Sequence, residues 1–187
     1  NRSLVLPHVW TEADTTAHPD GSFPITVTLT DKDGGVGTGT VNETVTNVAP
    51  SQLTACLLGT VTDAASASAC PATATINEGD TVQLYGGFTD PSSGDAHTVQ
   101  IDWGPGWPSA ERYQTLDLPV GTFGYSATRQ FGDEGTYAVK VTVTDDDGAA
   151  TASTSTLTVQ NVPPTAVIDR SQATTVQQVP TVPTHAG

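Results

Sequence analysis

The feature that most constrains this chain is that it repeats itself. Gly21 to Pro50 aligns without a gap onto Gly135 to Pro164, and about 13 of the 30 positions are identical. The shared positions are landmarks of turn, core and linker: Gly21/Gly135, Phe23/Tyr137, Asp31/Asp145, Asp33/Asp147, Gly34/Gly148 and Asn47-Val48/Asn161-Val162. One unit therefore runs from 51 to 164. A second is represented only by its later half, from 1 to 50, and a tail from 165 to 187 begins like a third.

Within the units the apolar residues alternate with threonine. Ile25-Thr26-Val27-Thr28-Leu29-Thr30 and Val139-Lys140-Val141-Thr142-Val143-Thr144 have the period of two that marks half-buried strands. Helical periodicity is nearly absent, and Gly, Asp, Asn and Pro clusters separate the runs, as in an all-β sandwich. For the complete unit the pattern predicts strands over 72–76, 81–88, 97–103, 112–118, 122–131, 136–144 and 150–159. In the first half-unit it predicts strands over 23–30 and 36–48.

Charge and composition exclude several partners. Six basic residues face 20 acidic ones, a formal net charge of −14, so no clustered cation is available for nucleic acid or an anionic membrane surface. No apolar stretch approaches the length that spans a bilayer. The absence of Met is expected of a processed product or a segment of something longer. Cys56 and Cys70, 14 positions apart and with no CxxC, are either free thiols or a local disulfide of a secreted chain; the composition favours the disulfide. Asn1-Arg2-Ser3 and Asn42-Glu43-Thr44 match the glycosylation sequon, a short pattern that also arises by chance.

Catalytic patterns are missing from the sequence. His8, His18, His97 and His185 are isolated, and there is no HExxH, no Gly-x-Ser-x-Gly elbow and no phosphate-binding glycine loop. The chain is read as a non-enzyme.

Several motifs together resemble PKD-type repeats, the immunoglobulin-like modules of secreted and cell-surface proteins. They are Asn77-Glu78-Gly79-Asp80-Thr81-Val82, Phe88-Thr89-Asp90-Pro91, Ile101-Asp102-Trp103-Gly104, Gly135-Thr136-Tyr137, Thr144-Asp145-Asp146-Asp147-Gly148 and Asn161-Val162-Pro163-Pro164. The family's Gly-Asp-Gly is here Gly104-Pro105-Gly106, and the stretch from Cys56 to Cys70 is extra length. The resemblance implies tandem β-sandwiches, the first incomplete, used extracellularly as spacer, adhesion or interaction modules.

In an immunoglobulin-like topology the second-to-third and sixth-to-seventh connections share one end of the sandwich with the incoming linker. Asp90, Asp95, Asp145 and Asp147 then converge, with Asp102 near them, and Asp31 and Asp33 repeat the pattern in the first unit. Carboxylates gathered this way suit calcium, a hard cation that takes oxygen ligands. The competing reading is that Asp-x-Asp-Gly is only a hairpin turn. An EF-hand is excluded, because the twelfth positions from Asp31 and Asp145 are Asn42 and Thr156.

Trp103 is expected between the sheets. Trp107 and Tyr113 are expected to pack in their loop, with a sugar-stacking platform as the alternative.

A half sandwich exposes apolar faces and open strand edges. The tail carries the opening strands that the first unit lacks, near Ala166, Val167 and Ile168 and near Thr175, Val176 and Val179. The expectation is a homopolymer, in which one copy's tail completes the next copy's half-module to build an extracellular filament. Two rivals stand beside it: a segment of a long multi-repeat surface adhesin or stalk, and a polysaccharide-binding accessory of a secreted hydrolase.

Overall fold

The structure, a computed structural model, describes residues 5–8, 21–59, 70–92 and 94–166. The described residues are all-β apart from one helical turn. Strands β1 (Ser22–Thr30) and β2 (Val36–Thr44) form a two-stranded antiparallel sheet. There follow β3 (Cys56–Leu58), β4 (Thr73–Asn77), β5 (Thr81–Gly87), β6 (His97–Asp102), α1 (Ser109–Arg112), β7 (Tyr113–Leu118), β8 (Gly124–Gln130), β9 (Gly135–Asp145) and β10 (Ala150–Gln160). A five-stranded sheet of order β4-β10-β9-β6-β7 packs on a three-stranded sheet of order β3-β5-β8.

The alternating threonines do what their period predicts. Along β9, Val139, Val141 and Val143 are 0% exposed, and Val99 and Ile101 of β6 meet them from the adjoining strand. Leu84 and Val82 of β5 come from the facing sheet. Trp103 is fully buried between the layers, its ring centroid 6.2 Å from that of Phe131.

The two repeated hairpins share one register. Thr30 faces Val36 across the first turn, as Thr144 faces Ala150 across the second. Gly34 and Gly148 take φ of +88° and +91°, a conformation open to glycine at no steric cost. The hairpins differ in surroundings: β9 and β10 lie inside a sheet, whereas β1 and β2 pair only with each other among the described residues.

The predicted strands all form, with ends shifted by a residue or two. The exception is 36–48, which stops at Thr44. Strand β3 is additional. It is three residues long and opens the cysteine-bearing stretch; its Leu57, with Ala55 just before it, is buried in the core. The first strand is thus split: β3 pairs antiparallel with β5 in one sheet, and β4 pairs parallel with β10 in the other.

Cys56 and Cys70 form a disulfide, with Cα atoms 4.8 Å apart, that closes the loop between the two halves. Leu57 N–H donates to the Pro71 carbonyl at 2.9 Å beside it. Replacing both cysteines by Ser should lower the unfolding free energy by about 3 kcal/mol, the cost of leaving a loop of this size open in the unfolded chain. Urea melts of the oxidised, reduced and Ser forms check this, with the last two expected to coincide.

Candidate functional site

Sheet register builds the acidic end. Antiparallel pairing of β6 with β9 sets His97, the first residue of one strand, opposite Asp145, the last of the other. Beyond Asp145 the chain turns through Asp146, Asp147 and Gly148, and Asp145 Oδ1 accepts the Ala149 N–H at 2.7 Å. The hairpin-turn role read in the sequence is therefore real.

The connection from β5 to β6 folds over the same place. Phe88 enters the core, and Thr89 exchanges backbone hydrogen bonds with Ser51 at 2.8 and 2.9 Å. Asp90 Oδ1 accepts the Ser92 N–H at 2.8 Å, and Ser92 Oγ donates to Asp95 Oδ1 at 2.6 Å. His97 lies against Phe88 and Phe123, with its Nε2 3.2 Å from Asp90 Oδ2. The side chains of this His and Asp are both 0% exposed.

Asp90, Asp95 and Asp145 thus meet, and each offers an oxygen within 4.8 Å of the others. Calcium–oxygen bonds of about 2.4 Å place opposed ligands about 5 Å apart, so one ion can reach all three. Asp95 is 3% exposed, and its Oδ2 has no hydrogen-bond partner among the described residues. Burial raises its pKa; the Ser92 hydroxyl works against the rise, and repulsion from Asp146, Asp90 and Asp145 adds to it. A buried carboxylate oxygen without a partner, in a nest of like charge, is relieved by a proton or by a divalent cation. The cluster is able to coordinate such an ion.

The other acidic residues lie elsewhere. Asp147 sits in the β9–β10 turn and is not part of the three-carboxylate group. Asp31 Oδ1 accepts the N–H groups of Asp33 and Gly35 at 2.9 and 2.7 Å, and Asp33 pairs with Lys32 in the open. Neither joins an acidic group of three among the described residues. Asp102 is engaged differently from the expectation: Arg112 donates to both its oxygens at 2.7 Å, and this holds its carboxyl below the usual range.

The linker arrives at this end as the topology predicts, but its side-chain contact with the cluster was not foreseen. Asn47 Nδ2 donates to Asp145 Oδ2 at 3.0 Å, and Pro50 is buried. The available signal was the recurrence of Asn-Val shortly before Pro, at Asn47-Val48 and Asn161-Val162. A second acidic group, Glu78, Asp133 and Glu134, gathers where the chain leaves β10, and Glu78 Oε1 accepts the Val162 N–H at 2.9 Å.

Trp107 packs as expected. Its ring meets Phe131 at 5.5 Å and carries the Arg129 guanidinium 3.9 Å from its centroid, so it is not a free stacking platform. Tyr113 is 46% exposed, with Arg112 over its ring. Of the tail, Ala166 is exposed, whereas Val167, Ile168, Thr175, Val176 and Val179 lie outside the described residues.

Comparison with known proteins agrees with this architecture. Residues 63–160 match the PKD domain family, and the chain belongs to it. That family is a domain type of secreted and cell-surface multidomain proteins, and the domain is an adhesion or accessory module rather than an enzymatic fold. Among solved structures, the chain is similar to the PKD domain of an M14-like peptidase from a Thermoplasmatales archaeon. Identity there is 21%, the TM-score is 0.41, and 62% of this chain and 99% of that one are covered. It is also similar to a CARDB domain from Pyrococcus furiosus in complex with di-metal ions, at 12% identity and a TM-score of 0.32, covering 63% and 100%. No curated protein matches the chain.

Proposed function

We propose that this chain is a stretch of an extracellular repeat stalk, and that its PKD domain is a non-catalytic spacer clamped to the preceding unit by calcium. Residues 1–50 are the closing half of one module, 51–164 a complete module and 165–187 the opening of another. Carrying this reading is one contact: linker residue Asn47 donates to Asp145 Oδ2 inside the group that also holds the unpartnered Asp95 oxygen. An ion held by Asp90, Asp95 and Asp145 neutralises their repulsion, and the Asn47 carbonyl oxygen can join it. The linker then loses its freedom. Calcium suits the site better than magnesium, because it tolerates irregular oxygen sets and gives up its water readily.

The polysaccharide-binding reading loses its main support, because Trp107 is packed.

Amide relaxation tests the clamp. With calcium, order parameters over Thr46–Ala49 should sit at about 0.85, the value of rigid backbone, and fall below about 0.6 in EGTA or in Asn47→Ala. Identical values in all three samples would contradict the reading.

A further inference from the structure

His97 is a buried polar side chain that neither the core nor the clamp accounts for. It opens β6, opposite Leu118 on one side and Asp145 on the other, and its side chain is 0% exposed. The ring lies 4.7 Å from that of Phe88 and 5.8 Å from that of Phe123, and these two meet edge to face at 5.6 Å. An aliphatic side chain would pack in such surroundings without the cost of burying two polar nitrogens. What the imidazole adds is a hydrogen bond.

We infer that His97 carries its proton on Nε2 and is a positioning residue of the cation site, donating to Asp90 and holding that carboxylate beside Asp95 and Asp145. The two ring nitrogens differ in their surroundings. Nε2 lies 3.2 Å from Asp90 Oδ2, whereas Nδ1 is buried without a hydrogen-bond partner among the described residues. An ionised carboxylate only accepts, so the proton of the contact sits on Nε2. A proton on Nδ1 would be a buried donor with nothing to receive it, so that nitrogen keeps a bare lone pair.

Asp90 needs such a tie more than its neighbours do. Asp145 ends β9, where the Ala149 N–H holds its Oδ1 and Asn47 its Oδ2. Asp90 lies instead in the connection from β5 to β6, and its Oδ1 accepts from Ser92, two residues on in the same loop. That bond travels with the loop. The His97 bond comes from β6, which is paired along both edges, by β9 and by β7. It therefore anchors a loop carboxylate to the sheet. Carboxylates that bring oxygens within 4.8 Å of one another repel, and an unanchored one would swing away. Fixing Asp90 in advance leaves less ordering for an ion to impose. The effect on binding rests on the calcium clamp; the hydrogen bond itself does not.

Two substitutions in the full chain separate the bond from the packing. His97→Gln keeps an N–H where Nε2 stands, whereas His97→Leu fills the space and removes the donor. Calorimetric titration should give the parent and His97→Gln similar calcium affinities. His97→Leu should bind about 10–100-fold more weakly, the usual loss when the group that holds a ligand is removed. Urea melts in EGTA should show His97→Leu folded and no less stable than the parent, so that collapse is not the cause. Proton–nitrogen correlation spectra of the parent imidazole in EGTA should place the proton on Nε2 and none on Nδ1, whether or not either variant folds. A His97→Leu chain that binds calcium as tightly as the parent overturns the inference and leaves the clamp standing. A His97→Gln chain as weak as His97→Leu, or a proton on Nδ1, overturns it as well. A parent that binds no calcium overturns the clamp and with it the positioning role, while the spectra still decide the bond to Asp90.

Discussion

Trp103→Ala is expected to lower the unfolding free energy of the PKD domain by about 4 kcal/mol, within the range for a buried aromatic cut to alanine. Trp103 is fully buried at the end of β6, meets Phe131 edge to face, and donates from Nε1 to Gln114 Oε1 at 3.3 Å. Phe131 in turn packs on Trp107 and Tyr137, so the void opens at the centre of an aromatic cluster. Relaxation cannot fill it, because the Trp103 backbone is tied to the Arg112 carbonyl at 3.0 Å. Small domains hold about 5–15 kcal/mol in total, so the variant should melt far below the parent or fail to fold. Trp107→Ala, half-buried at the rim of the same cluster, should cost clearly less. Chemical denaturation of the two variants side by side checks the order, and equal losses would misplace the core.

The second large effect changes sign with calcium. In EGTA at neutral pH, Asp95→Asn should stabilise the domain by about 1 kcal/mol, because it removes a buried charge whose Oδ2 has no partner. Asp95 has its pKa raised in the fold, so its contribution is most favourable below the ordinary value of 3.8 and is lost as pH rises through the folded value. The advantage of Asn over Asp in EGTA should therefore open as pH climbs from acid toward neutral. In calcium at a hundredfold excess over its dissociation constant the parent gains about 2.7 kcal/mol and the variant gains none, so the order reverses. Thermal melts of both proteins, with and without calcium, read this crossing. Parallel shifts in the two would place any bound calcium somewhere other than Asp95.

Much of the fold was legible in the residues because alternation is a strong signal. Where Val or Ile alternates with Thr over six residues, as along Val139–Thr144, only a strand with one buried face fits. The repeat then predicted a second hairpin, and both form with the same register. Strand β3 was illegible because three residues carry too little period, and the neighbouring Ser and Ala disguised Ala55 and Leu57 as loop. At the site, the meeting of Asp90, Asp95 and Asp145 followed from which loops share an end of the sandwich. Asp102 did not follow that rule. Its partner Arg112 comes from the single helical turn before β7, which no periodicity announced. The role of Asn47 depended on where a linker side chain lands, which sequence spacing does not encode.

Calorimetric titration of calcium into the metal-free chain, run beside Asp95→Asn, tests the clamp most directly. One saturable binding event is expected in the parent and none in the variant, with magnesium a weaker competitor. No binding heat in the parent, or the same isotherm in both proteins, would contradict it.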